Sequence, residues 1–139
     1  MSTHEIHPLL DPPMLLGESP MWHPTEAALY WIDIAAKEVH RYHPEAAEHR
    51  VWPLPSEPGC IARCADGGLL VAMRSELAFL DTENGKLTRL ADAPYDSSCM
   101  RFNDGRCDAN GRLWVGTLYE PRDRPAGTLF CIERGVIRD

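Results

Sequence analysis

The chain has 139 residues, a net charge of −7 and a composition that is 44% hydrophobic and 25% charged, which is typical of a soluble globular protein. The negative charge argues against nucleic acid as a partner, and no run of 18 apolar residues predicts a membrane span. The stretch Met1–His7 lacks the basic start and apolar core of a secretory signal, and the five cysteines are an odd number. We therefore expect reduced thiols and a cytoplasmic location.

Short apolar runs repeat along the chain at nearly constant spacing. The run that begins at Leu29 matches the run at Leu69, 40 residues further on, and that run matches the one at Leu113 after another 44 residues. Helical periodicity is nearly absent, and the runs are rich in Val, Ile, Leu and aromatic residues, which predicts strands. Units of this period with several short strands each predict the blades of a β-propeller, with an evenly stranded β-sandwich or barrel as the alternative.

Each apolar run is followed by two further runs that resemble strands. The second runs are residues 38–42, 77–80 and 128–132, and the third, more polar runs are residues 48–52, 86–90 and 135–138. In the last copy an insertion of roughly residues 121–126 separates the first two of these strands. Pro121 and Pro125 would keep the insertion out of the sheet, because proline cannot donate to a strand ladder.

Familiar nucleophile and nucleotide motifs are missing from the sequence. It contains neither a Gly-x-Ser-x-Gly elbow nor a glycine loop that would hold phosphate. In one strand, Cys60 and Cys64 would lie about 13 Å apart, too far for a disulfide. We therefore interpret them as small buried hydrophobic residues. The six histidines form no His-x-x-x-His pair.

The stretch from Arg101 to Glu120 is dense in polar groups that lie next to a strand pattern. Arg101 and Asn103 alternate around Phe102, so in an extended segment they point the same way while Phe102 points into the core. Such a pair is a candidate binding site. A solvated turn is the simpler alternative, because Asn, Asp and Gly are ordinary turn residues.

Glu18 is an acidic residue in an apolar stretch at the start of the first repeat. It lies either exposed at an edge or buried with a partner, because burying an isolated carboxylate is costly. A metal ion would be such a partner. The pattern alone leaves both interpretations open.

Four motifs in order resemble the regucalcin/gluconolactonase family of sugar lactonases, which are related to senescence marker protein. The resemblance covers essentially residues 15–133, and the motifs are Gly17–Trp22, Tyr30–Ile34, Arg101–Gly105 and Gly111–Thr117. It implies an all-β, six-bladed β-propeller, of which this chain covers about three blades, the third possibly incomplete. Residues 1–14 are then an N-terminal segment, and residues 15–139 are the N-terminal half of the propeller.

The resemblance also implies roles for individual residues. Glu18 matches a metal ligand, and Arg101 and Asn103 match residues that contact the substrate. Glu120 is the nearest match to a further substrate residue, although Pro121 occupies a position that is acidic in some relatives. The family's metal-binding Asn and water-activating Asp come from later blades, so this chain holds no catalytic residue of its own. The divalent metal could be Ca, Zn, Mn, Mg or Fe, because oxygen-rich sites accept several ions.

The implied function is metal-dependent hydrolysis of a sugar lactone to the sugar acid, with this chain as an N-terminal fragment that is inactive alone. The partner would be a small sugar lactone, with self-association through exposed blade faces as a further expectation. A non-catalytic calcium-binding or regulatory propeller is the alternative. An esterase or organophosphate hydrolase on the same scaffold is a third, and would differ mainly in the polarity of the pocket.

Overall fold

The structure is a computed structural model that describes residues 4–139, so residues 1–3 of the expected N-terminal segment lie outside the described part. The described residues form twelve strands and no helix. Residues 4–139 therefore contain no helix that is long and apolar enough to cross a membrane.

The twelve strands form three antiparallel sheets of four strands each, with consecutive strands paired. The first sheet holds β1 (Gly17–His23), β2 (Ala28–Asp33), β3 (Glu38–His43) and β4 (Glu48–Pro53). The second holds β5 (Pro58–Arg63), β6 (Leu69–Met73), β7 (Glu76–Leu80) and β8 (Leu87–Asp92). The third holds β9 (Met100–Cys107), β10 (Leu113–Tyr119), β11 (Leu129–Glu133) and β12 (Val136–Arg138). The expected three blades are confirmed, and the third is complete in strand number.

The repeat seen in the sequence corresponds to the second strand of each sheet. Leu29, Leu69 and Leu113 lie at or next to the start of β2, β6 and β10. One detail of the sequence interpretation is wrong. The insertion at 121–126 lies between β10 and β11, the second and third strands of its sheet, and not between the first two. The first strands β1, β5 and β9 carry Pro, Gly or polar residues, so the apolar repeat does not reveal them.

Burial is concentrated in β2, β5, β6 and β7, whereas β1 and the fourth strands are mostly exposed. Five of the six residues of β5 are buried, whereas β4 and β8 are mostly exposed. Successive side chains of a strand point to opposite faces of the sheet. Buried residues at successive positions of β2, β3, β6 and β7 therefore show that both faces of these strands are packed. The fourth strands carry polar residues because they lie at the outer edges of the sheets.

Two apolar cores hold the three sheets together. The core between the first and second sheets includes Tyr30, Ile32, Val39, Val71 and Leu80. The core between the second and third sheets includes Cys60, Leu77, Phe102, Val115 and Ile132. The first strands are also neighbours, because β5 contacts both β1 and β9. The three sheets are thus stacked in the way that blades of a propeller are.

Candidate functional site

The first strand of each sheet begins at an equivalent place. The residue after each second strand donates a backbone hydrogen bond to the residue just before the first strand. These bonds run from Ile34 to Leu16 (3.0 Å), from Arg74 to Glu57 (2.8 Å) and from Glu120 to Cys99 (2.9 Å). Glu18, Gly59 and Arg101 are each the second residue of their strand. They therefore occupy corresponding positions in the three blades.

Each first strand also carries a β-bulge at this position or just beyond it. The pairing of β1 with β2 shifts between Glu18 and Met21, and that of β5 with β6 shifts between Pro58 and Cys60. The pairing of β9 with β10 shifts between Val115, which pairs with Gly105, and Thr117, which pairs with Phe102. A bulge bends its strand and redirects the neighbouring side chains, and bulges are frequent beside active sites. The repeated bulges mark this end of the first strands as a candidate functional edge.

The bulge in β5 brings two neighbouring blades into backbone contact. Gly59 is buried, and a Cβ atom there would overlap the carbonyl oxygen of Phe102 and lie 2.8 Å from that of Asn103. Only glycine permits so close an approach of two strands. The backbone that carries Arg101 and Asn103 is consequently held against β5.

Arg101, Asn103 and Glu120 are brought together by the structure. The Arg101 Nη1 donates to the Phe102 carbonyl oxygen at 3.1 Å and to Asn103 Oδ1 at 3.4 Å. Its Nε lies 3.9 Å from Glu120 Oε1. Phe102 is fully buried, as the alternation predicts, while Arg101 and Asn103 are half-buried. The pair thus lies partly exposed, with the Arg101 side chain 13% exposed, on a strand that is anchored from behind.

Sequence reasoning missed Arg74, which holds this edge together. It donates to both oxygens of Glu120, at 3.0 and 2.7 Å, and to Glu57 at 3.1 Å. It also donates to the carbonyl oxygens of Ser97 at 3.1 Å and Met100 at 3.4 Å, in the segment that leads into β9. The sequence offers one indication of Arg74: it is the first residue after β6, as Glu120 is the first residue after β10. Arg74 joins the second and third blades beside Arg101.

The pairing of Arg74 with Glu120 keeps both groups charged. The hydrogen bond from Arg74 lowers the pKa of the Glu120 carboxyl, and the same bond raises the pKa of Arg74. A carboxylate with both oxygens engaged by a planar guanidinium is oriented firmly. Glu120 therefore lies at the rim beside Arg101, while its expected role toward substrate stays a prediction.

Glu18 belongs to the first blade and takes no part in the contacts that join Arg101, Asn103 and Glu120. Its strand is positioned by Asp33, whose carboxylate accepts hydrogen bonds from the backbone of Leu15 at 2.7 Å and Leu16 at 3.1 Å. Glu18 itself is exposed, and its carboxylate makes no hydrogen bond or ion pair with the other described residues. The exposed alternative from the sequence agrees with this placement. A shared site with Arg101 stays a prediction that rests on the equivalent strand positions.

The chain's own donors do not fit a complete divalent ion site. Among residues 4–139 no group of three or more His, Cys, Asp or Glu side chains is arranged to hold a metal. Glu18 offers one exposed carboxylate, whereas calcium takes six to eight oxygen ligands and magnesium six. Glu18 would therefore serve at most as one ligand among others.

A cavity of about 740 Å³ lies between the same three strands but toward their opposite ends. Its lining includes Trp22, Arg63, Arg106 and Cys107, and it does not include Glu18, Arg101 or Asn103.

The structure also tests the prediction that Cys60 and Cys64 are buried. Cys60 is fully buried, and burial raises its pKa to about 12. Cys64 is only half-buried, so the expectation that both are buried is wrong for Cys64.

Comparison with known proteins finds relatives that are named as sugar lactonases. The chain is 43% identical over 121 residues to a 6-deoxy-6-sulfogluconolactonase of Pseudomonas putida, covering 87% of this chain and 42% of that protein. It is 37% identical over 130 residues to a pentonolactonase of Haloferax volcanii, covering 90% of this chain and 41% of that protein. The chain therefore spans about two fifths of the length of these relatives.

A solved structure shows the same arrangement of strands. The calcium-binding protein regucalcin from Agrobacterium tumefaciens superposes with a TM-score of 0.86 and 32% identity, covering 94% of this chain and 44% of that one. Residues 16–138 also match the family described as SMP-30/Gluconolactonase/LRE-like region. The chain belongs to the SMP-30/gluconolactonase/LRE-like family.

Proposed function

We propose that this chain carries the sugar-holding part of an enzyme that hydrolyses sugar lactones. The observation that carries the proposal is the Arg101–Asn103 pair, which is held on a bulged first strand by Gly59 and Arg74. Two relatives named as lactonases, 43% and 37% identical, support the reaction class. Hydrolysis adds water across the ring ester bond and yields a hydroxy acid.

Arg101 and Asn103 would bind the oxygens of the lactone. Asn103 Oδ1 accepts a hydrogen bond from Arg101, so the Asn103 amide nitrogen remains free to donate. The Arg101 guanidinium presents several donors in a fixed plane, which suits neighbouring sugar hydroxyls better than the point charge of lysine. Because both groups are already oriented, less freedom is lost when the substrate binds.

Glu18 is proposed as one ligand of a divalent ion. When bound, such an ion supplies polarisation of the ester carbonyl and acidification of a water molecule. The ion could be Ca, Zn, Mn, Mg or Fe, since a single carboxylate does not select among them. Further oxygen donors beyond this chain's own would be required, as the absence of a complete donor group among residues 4–139 indicates.

A non-catalytic calcium-binding or regulatory propeller is the second candidate. It is favoured by the similarity to the calcium-binding regucalcin of Agrobacterium tumefaciens. The two candidates differ in what Arg101 and Asn103 must do. A regulatory propeller needs no oriented sugar-binding pair at this edge, whereas a lactonase does.

The direct test is a chimera in which residues 16–138 replace the matching segment of the Pseudomonas putida relative. We expect hydrolysis of D-glucono-1,5-lactone in a pH-indicator assay, and a loss of about 100-fold with Arg101→Ala, because a misplaced substrate reacts far more slowly. The control is Arg63→Ala, which removes an exposed guanidinium at the opposite ends of the strands. A folded chimera without turnover, or one unaffected by Arg101→Ala, would reject the proposal.

A further inference from the structure

The connection from β10 to β11 carries two exposed arginines that border a cavity. The segment Pro121–Gly127 holds Arg122 and Arg124, and both line a cavity of about 510 Å³. Asp123 lines the same cavity, but within residues 4–139 neither guanidinium forms an ion pair with it or with any other carboxylate. Both charges are therefore available to a ligand that enters the cavity.

The arginines are attached to a restrained segment. The Arg124 guanidinium lies 5.1 Å from the centre of the Tyr119 ring, a cation–π contact that orients it. Pro121 and Pro125 fix the backbone φ angles at both sides of the pair. This arrangement limits the conformational freedom that a ligand would otherwise have to remove.

The cavity borders the proposed sugar-binding edge. Leu118, which lines it, is the cross-strand partner of Arg101 in the β9–β10 pairing. Neighbouring strands lie about 4.8 Å apart, so the cavity begins one strand away from Arg101. The segment also begins directly after Glu120, whose carboxylate lies 3.9 Å from the Arg101 Nε.

Charge decides which ligand the cavity suits. The whole chain carries a net charge of −7 and therefore repels anions at long range. In the cavity lining the two arginines outnumber the one carboxylate, Asp123, so the local charge is positive. The planar fork of arginine matches the oxygens of a sulfonate or phosphate group. A neutral sugar would gain little from them.

We propose that Arg122 and Arg124 form a subsite for an anionic group, a sulfonate or phosphate ester, at the end of the sugar lactone remote from Arg101. The inference rests on the proposed function, because it assumes that the sugar lies against Arg101 and Asn103. It adds a substrate class, since lactones with a charged terminal group would be preferred over neutral ones.

The test compares the affinity of the 139-residue chain for stable sugar acids by isothermal titration calorimetry. The probes are D-gluconate, 6-phospho-D-gluconate and inorganic phosphate. We expect 6-phosphogluconate to bind at least about tenfold more tightly than gluconate, the effect of one or two charge-assisted hydrogen bonds. The combined change Arg122→Gln and Arg124→Gln should abolish the difference, whereas Arg63→Gln should preserve it.

Other outcomes separate this inference from the proposed function. Equal affinity for the two sugar acids would overturn the subsite and leave the sugar site standing. Inorganic phosphate that binds as tightly as 6-phosphogluconate would show a simple anion site and overturn the subsite as part of a sugar site. Binding of 6-phosphogluconate that depends on Arg122 but is unaffected by Arg101→Ala would retain the anion site and reject the sugar-binding role. Circular dichroism of each variant would confirm that it folds.

Discussion

At the scale of single residues, the candidate site depends on a chain of charged contacts in which Arg74 is central. Its guanidinium contacts Glu57, Glu120 and two backbone carbonyl oxygens in the approach to β9. Exposed ion pairs contribute little singly, but a half-buried arginine that satisfies several acceptors contributes more. Arg74 thus positions the strand that carries Arg101 without itself being part of the proposed sugar contacts.

Replacement of Arg74 should destabilise the protein. We expect Arg74→Ala to lower the free energy of unfolding by about 1–2 kcal/mol, because two carboxylates and two carbonyl groups lose a donor. Arg74→Lys should recover only part of this, since lysine lacks the planar fork. Urea denaturation measures the change, and Arg63→Ala is the control with an expected change below about 0.5 kcal/mol. Equal effects at Arg74 and Arg63 would refute the linking role.

The charge of Glu120 should make stability depend on pH. Its pKa is lowered in the folded state by the Arg74 hydrogen bond, whereas an unfolded glutamate titrates near about pH 4.3. Its contribution is therefore present above that pH and is lost as the pH falls through the lower folded pKa. We expect Glu120→Gln to flatten the decline of unfolding free energy as the pH falls below about 4.3. An unchanged slope in that variant would show that Glu120 is not the titrating group.

At the scale of elements, the bulged first strands create the edge on which the proposed site lies. The bulge at Gly59 brings β5 onto β9, and the bulge in β9 lies at Asn103 and Asp104, next to Arg101. Regular strands would keep the side chains in strict alternation, whereas one extra residue turns a group toward the strand edge. The equivalent placement in three blades indicates that the geometry belongs to the fold.

A side chain at Gly59 should not be tolerated. Gly59→Ala would place a Cβ atom against the Phe102 backbone, and backbone cannot move aside as a flexible side chain can. We expect a loss of about 2 kcal/mol or more in unfolding free energy. Gly116→Ala is the matched control, because its Cβ would meet only the Asp104 carbonyl oxygen at 3.9 Å. It should change stability by less than about 1 kcal/mol. A mild effect of Gly59→Ala would refute the close approach.

The sequence predicted some of these elements and not others for physical reasons. The runs at Leu29, Leu69 and Leu113 are apolar on both faces, so their strand character is local and visible. The first strands were harder, because bulges interrupt the alternation on which such a prediction depends. The role of Arg74 could not be predicted, since its partner Glu120 is 46 residues away and the contact exists only once two blades have packed.

At the scale of the whole molecule, two cores join three sheets, and the outer face of the third sheet remains open. Leu129 is 59% exposed, Val136 53% and Trp114 37% on that sheet. An apolar sheet face of this kind is typical of an interaction surface. The expected self-association through blade faces stays a prediction.

The 139-residue chain alone should bind divalent ions weakly and should not hydrolyse lactones at a useful rate. The reason is that Glu18 supplies one carboxylate, and a firmly held ion needs several oxygen donors. Calorimetric titration with Ca²⁺ and Mn²⁺, paired with a pH-indicator lactonase assay, measures both properties. Metal-dependent turnover that is abolished by Glu18→Gln would show a complete site in this chain and contradict the expectation.

We infer that the sugar lies at the bulged edge formed by Arg101 and Asn103, and an NMR titration of the ¹⁵N-labelled chain with D-gluconate tests this placement. We expect amide shift changes that cluster at residues 57, 59, 100–104 and 118–120, and that disappear in Arg101→Ala. Changes confined to the opposite strand ends, around Arg63 and Cys107 in the cavity of about 740 Å³, would contradict it. So would the same pattern of changes in the Arg101→Ala variant.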